Sequence, residues 1–136
     1  MRTILLAYGV TAAVFLVLDF IWLGTMVNAY YKPRMGELLL EQPRLGVAVL
    51  FYAIYVVGVV AFAVLPALRE GDWTRALWGG ALFGFCAYAT YDMTNLATLK
   101  GFSSEVALVD MVWGTVVSGV SATLGMLGVS LLTRAG

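Results

Sequence analysis

The chain has 136 residues, of which 62% are hydrophobic and only 12% charged, and its mean hydropathy is +0.92. A water-soluble globule of this size carries about 25% charged residues, so the composition excludes an aqueous domain. Eight basic residues balance eight acidic ones, which leaves no basic footprint for nucleic acid. The chain has no histidine and one cysteine, Cys86. The usual histidine ligands of haem, zinc and histidine-rich di-iron sites are thereby missing, and no intramolecular disulfide can form.

In chain order, the first apolar run covers residues 4–27. It is too long for a signal-peptide core, contains Asp19 and leads to no small-x-small cleavage site, so it reads as a retained membrane helix. The connection 28–44 holds Lys32, Pro33, Arg34, Glu37, Glu41, Pro43 and Arg44. Its middle, Met35 to Leu40, has the pattern of a short helix lying in the interface. A second span covers 45–68, followed by a polar turn from Arg69 to Arg75 whose Trp73 suits the headgroup level. The third span, 76–99, ends in a tight turn from Lys100 to Ser104, with Ser103 or Ser104 placed to cap the fourth span, 105–132. The expected architecture is all-α: an integral membrane four-helix bundle, a single domain over 1–136 with both termini on the same side and the lipid bilayer as its surroundings.

Three carboxylates interrupt these spans: Asp19, Asp92 and Asp110. Each opposes insertion by roughly 2.5–3.5 kcal/mol near the centre of a membrane helix, about 7–10 kcal/mol together, so a site or interhelical pairing is expected to retain them. An up-down topology puts them at one depth, roughly 12 Å from the helix end for Asp19 and Asp92 and about 8 Å for Asp110, with Tyr52 and Tyr55 level on the second helix. On the third helix Tyr88, Tyr91, Asp92 and Asn95 follow the i, i+3, i+4, i+7 spacing of one face. Asp19 has Trp22 at i+3, and Asp110 has Trp113 at i+3. A carboxylate beside aromatic faces suits a cation or a proton; equally, Trp and Tyr near an interface form an anchoring belt. Two aspartates in contact would share a proton or hold a cation. Alternatively the cluster is a structural hydrogen-bond network, with Lys100 and the tyrosine hydroxyls contributing.

A hard cation such as Mg²⁺, Mn²⁺ or Ca²⁺ would accept these oxygens, with Asn95 as a further donor, although the spacing matches no metal motif. No nucleophile has a base beside it. Gly80-x-x-x-Gly84 and the run Gly114, Ser118, Ser121, Ala122, Gly125 and Gly128 mark close helix packing, within the bundle or between protomers. Residues 19–25 (DFIWLGT) echo 92–98 (DMTNLAT), as a duplicated hairpin would. Lysine and arginine divide evenly: Arg2, Arg69, Arg75 and Arg134 on the side of the termini, and Lys32, Arg34, Arg44 and Lys100 opposite. The tie gives no orientation; it fits an antiparallel homodimer of a small transporter and also a single-topology protein.

The chain resembles a family of small bacterial membrane proteins, domain of unknown function 2177, over nearly its whole length. The segments that carry the likeness are LDFIWLG at 18–24, YY at 30–31, FYAIYVVG at 51–58, AVLPAL at 63–68, AYATYDMTNLATLKGF at 87–102 and VDMVWG at 109–114. The resemblance implies a multi-pass bacterial inner-membrane protein of four helices and puts Asp19, Trp22, Tyr91, Asp92, Asn95, Asp110 and Trp113 on signature segments; no activity comes with it. Three readings stand: a proton-coupled transporter or binder of a cationic or amphipathic small molecule, an intramembrane enzyme acting on a lipid or isoprenoid, and an accessory subunit with a structural polar cluster.

Overall fold

The computed structural model describes residues 2–26, Ala29, Pro33 and 44–135, with side chains throughout except at Leu45, Arg134 and Ala135. Helix α1 is Arg2–Met26. Helix α2 is a continuous rod made of Leu45–Val59, a π-helical Val60–Val64 and Leu65–Glu70. Helix α3 is Trp73–Thr98 and α4 is Ser104–Ala135. The proposed interfacial helix from Met35 to Leu40, with Lys32 and Arg34, lies outside the described residues.

Helix boundaries follow local chemistry. Gly71, at φ 67°, ends α2 in the left-handed region where a side chain would be strained. Asp72 then accepts the Thr74 backbone N–H at 3.0 Å and its hydroxyl at 2.6 Å, so α3 starts at Trp73, three residues earlier than the hydropathy pattern suggests. Of the two candidate serines, Ser103 caps α4, its Oγ accepting the Val106 N–H at 3.2 Å. The π-helical segment ends two residues before Pro66, which has no N–H and whose ring crowds the carbonyl four residues back, at Phe62 inside that segment; the wider turn makes room for it.

Three rods are long and apolar enough to cross a membrane: Arg2–Met26, Gly46–Glu70 and Ser104–Thr133. Helix α3 has 26 residues, ample for a span, but it is less apolar because it carries Arg75, Thr90, Asp92, Thr94, Asn95 and Thr98. Part of that polarity is internal: the Thr90 and Thr98 hydroxyls each donate at 2.7 Å to the carbonyl one turn back. Ile4, Leu5, Phe20, Ile21, Val49 and Leu131 are among many large apolar side chains on the outer surface. That surface belongs in lipid, not water.

Two inner stripes repeat every fourth residue. On α1 the buried positions are Ala7, Thr11, Phe15 and Asp19. On α3, Ala76, Gly80, Gly84 and Asp92 are buried, with half-buried Tyr88 completing the row. Both rows run from small residues through an aromatic ring to an aspartate. Helix α4 lies against both: Thr11 touches Gly125 and Asp19 meets Trp113, so α1 and α4 are antiparallel and both termini lie at one end. A Cβ on Gly80 would come within 2.6 Å of the Ser118 carbonyl and 2.7 Å of the Ala122 Cβ. The Gly80-x-x-x-Gly84 motif thus serves contact inside the bundle, α3 against α4.

Candidate functional site

The half of the bundle away from the termini holds Asp19, Asp92 and Asp110. Counting 1.5 Å per residue, Asp19 lies about 10 Å from Met26, Asp92 about 9 Å from Thr98, and Asp110 about 9 Å from Ser104. Their surroundings differ.

Asp19, 6% exposed, accepts a hydrogen bond on each oxygen. The Tyr52 hydroxyl of α2 donates to Oδ2, and the Trp113 indole N–H of α4 donates to Oδ1 at 3.1 Å. The Trp113 ring in turn stacks on Trp22, with centroids 4.3 Å apart and planes 7° from parallel. Phe15, one turn below on α1, meets Tyr52 and Tyr55 at 5.8 and 5.2 Å between centroids. One carboxylate therefore ties three helices together, and both indoles singled out beside aspartates pack here against each other.

Beside this clasp, between α2, α3 and α4, opens a pocket of about 280 Å³ lined by Phe51, Tyr55, Ala87, Tyr88, Tyr91 and Asp110. Tyr55 is fixed from behind by Ser118, hydroxyl to hydroxyl at 2.6 Å, and its ring meets that of Tyr88 edge-on at 6.0 Å. Tyr88 lies across Gly114, where any side chain on α4 would collide with its ring. It stands within electrostatic reach of both Asp19 and Asp110. Asp110 is the charged group in the lining.

Asp92 sits behind Asp110. It is 1% exposed, its carboxyl faces that of Asp110, and no donor among the described residues reaches either of its oxygens. Asn95 lies one turn on, beside Tyr91. The expected single face on α3 is therefore split: Asp92 is buried, Tyr88 half-buried, and Tyr91, 57% exposed, stands at the pocket wall. Lys100 is exposed in the α3–α4 turn, and no described contact joins it to the aspartates.

Of the ten side chains proposed from sequence, the clasp holds Asp19, Trp22, Tyr52 and Trp113, the pocket holds Tyr55, Tyr88, Tyr91 and Asp110, and Asp92 and Asn95 adjoin it. The sequence reading did not single out Phe51 and Ala87 in the lining or Ser118 behind it as site residues. Phe51 carries one signal, its place four residues before Tyr55 on the same helical face.

A family model described as a predicted membrane protein, domain of unknown function 2177, matches residues 4–127. No curated protein and no solved structure matches the chain.

Proposed function

We propose, for a chain that belongs to the membrane protein family named domain of unknown function 2177, that the pocket binds a small organic cation or cationic amphipath. In this reading the protein carries its ligand across a bacterial inner membrane in exchange for protons. The observation that carries it is the lining: three tyrosines and a phenylalanine around one carboxylate, Asp110, in about 280 Å³. Aromatic faces attract a weakly hydrated cation by their quadrupole, worth roughly 2 kcal/mol when water is excluded, and the carboxylate neutralises its charge. A hard divalent ion needs converging oxygens instead, and no three acidic, histidine or cysteine side chains come together among the described residues.

A structural role suits the other group better. Asp19 has a donor on each oxygen, which leaves little to offer a ligand, so Asp19, Tyr52, Trp113 and Trp22 fasten the helices around the pocket.

The test is thermal unfolding of the purified protein with benzyltrimethylammonium, set against its uncharged isostere neopentylbenzene. A ligand at a hundred times its Kd stabilises by about 2.7 kcal/mol. The cation should raise the Tm, the isostere should not, and Asp110→Asn should abolish the shift. Equal shifts from both compounds would show a greasy pocket without cation recognition and end this reading.

A further inference from the structure

The pocket has an open side. Toward the termini α2 lies on α3: a Cβ on Gly79 would come within 3.6 Å of Ala63, and the Phe62 and Phe83 rings stack with centroids 5.9 Å apart. Close approaches between the two helices fall on Val60–Glu70 and hardly at all on Leu45–Val59. Tyr55 still reaches the rings of Phe83 and Tyr88 on α3. Phe51, one turn nearer the start of α2, packs its ring on Tyr52 and Tyr55 of its own helix. Beyond Tyr55 the helices therefore part, with Phe51 on one lip of the pocket and Tyr91 on the other.

Both lips face outward: Phe51 is 48% exposed and Tyr91 57%, on a surface that belongs in lipid. Counting 1.5 Å per residue, the lips lie about 9 and 10 Å below the ends of their helices, and Tyr55 and Tyr88 about 15 Å. Half a hydrocarbon core is about 15 Å thick, so the opening meets acyl chains below the headgroups. Along α4 the way to water is packed: Val106 and Ala107, one turn from Asp110, are buried. A site with rings and a carboxylate inside and an apolar way out matches a charged head on an apolar chain. Such a molecule, moving in the leaflet, meets the opening sideways and keeps its chain in lipid while its head goes in.

We propose that the ligand is a single-chain amphipath with a quaternary ammonium head, taken laterally from the leaflet away from the termini. The head sits among Tyr55, Tyr88 and Asp110, and the chain leaves between Phe51 and Tyr91 into the bilayer. The head rests on the reading of the pocket as a cation site; the chain and the route rest on the opening.

Trimethylammonium probes with octyl, decyl and dodecyl chains test this, titrated onto the full chain in phosphatidylcholine nanodiscs with empty discs as the blank. Benzyltrimethylammonium should displace each of them. Counted against water, Kd should fall about fourfold per methylene; counted against the concentration in the bilayer it should stay level, because the chain is in lipid before and after binding. Ile54 and Thr90, which precede Tyr55 and Tyr91, are exposed beside the opening. Ile54→Trp and Thr90→Trp should weaken dodecyltrimethylammonium several-fold and leave benzyltrimethylammonium, which has no chain to thread, unchanged. A bilayer-referenced Kd that climbs steeply from octyl to dodecyl, as a closed chamber would give, overturns the lateral route and leaves the cation site standing. So does dodecyl binding that both tryptophan variants leave untouched. Dodecanol bound as tightly as dodecyltrimethylammonium would make the gap an ordinary lipid-chain groove and overturn the charged head. No binding by any quaternary ammonium, benzyltrimethylammonium included, overturns both.

Discussion

Toward the termini, α3 meets α4 through Gly80 and Gly84; toward the opposite end the same row of α3 presents Tyr88 and Asp92. Helix α1 repeats the pattern, Ala7 and Thr11 giving way to Phe15 and Asp19. At the first end backbones touch, and Ala63, Ala67, Ala76 and Ala122 are wholly buried. At the second, rings hold the helices apart, a pocket opens and carboxylates come inside. In lipid, where apolar burial between helices gains little, close packing supplies the stability. The two ends divide the labour: contact at one allows the costly polar arrangement at the other. Gly114 marks the boundary, since Tyr88 lies where its side chain would be.

That division is most severely tested at Gly84. A Cβ there would collide with the Gly114 carbonyl and lie 2.5 Å from the Ser118 Oγ; backbone cannot swing aside as a flexible side chain can. Gly84→Val should cost about 3 kcal/mol or more, or prevent folding. Gly9, also in a span, has nothing within 4 Å of the same virtual atom, so Gly9→Ala should gain about 0.5–1 kcal/mol from helix propensity. Unfolding in detergent micelles measures both. Similar effects at the two glycines would mean that the tight end does not carry the stability.

Next in size is the clasp. Asp19→Ala would strand the Tyr52 hydroxyl and the Trp113 N–H, a loss of about 2–3 kcal/mol. Adding Tyr52→Phe to that variant should recover part of it, because a buried donor without an acceptor is removed. The surviving folded protein should still bind benzyltrimethylammonium, which Asp110→Asn should not. If loss of Asp19 abolished binding in well-folded protein, the line drawn between clasp and pocket would be wrong.

Asp92→Asn should have the opposite sign. It replaces one of two facing carboxyls with an amide that can donate, gaining about 1 kcal/mol. A destabilisation, read by the same unfolding assay, would place Asp92 with Asp19 as a structural acid.

These opposite expectations mark where sequence reading stops. The four helices and the common depth of the aspartates were legible, because span length and 1.5 Å rise leave little freedom. So was the small-residue motif at Gly80 and Gly84. Helix starts were less so: Asp72 captures α3 three residues early, a capping effect that hydropathy does not register. The echo between 19–25 and 92–98 suggests equivalent aspartates, yet Asp19 has two donors and Asp92 none among the described residues. The donors come from α2 and α4, and which residues meet a given carboxylate depends on how the helices cross. No single helix encodes that. Phe51 shows the same limit, since a phenylalanine in an apolar span looks like any lipid-facing ring until the pocket is seen.

The smallest effect expected is at Ser118, which belongs to both ends: its backbone packs against Gly80 and its hydroxyl holds Tyr55. Ser118→Ala keeps the close contact, since alanine is no larger, and removes only the 2.6 Å hydrogen bond. Stability should fall by about 0.5–1 kcal/mol. The Tyr55 ring, freed at its hydroxyl, should present a less fixed face to the pocket, so cation affinity should fall a few-fold. Ser118→Gly would remove the same bond while leaving the helices free to draw closer. If both variants weaken the cation equally, Tyr55 is held by its hydrogen bond; if only the glycine variant does, helix separation sets the pocket and the hydroxyl pair is incidental.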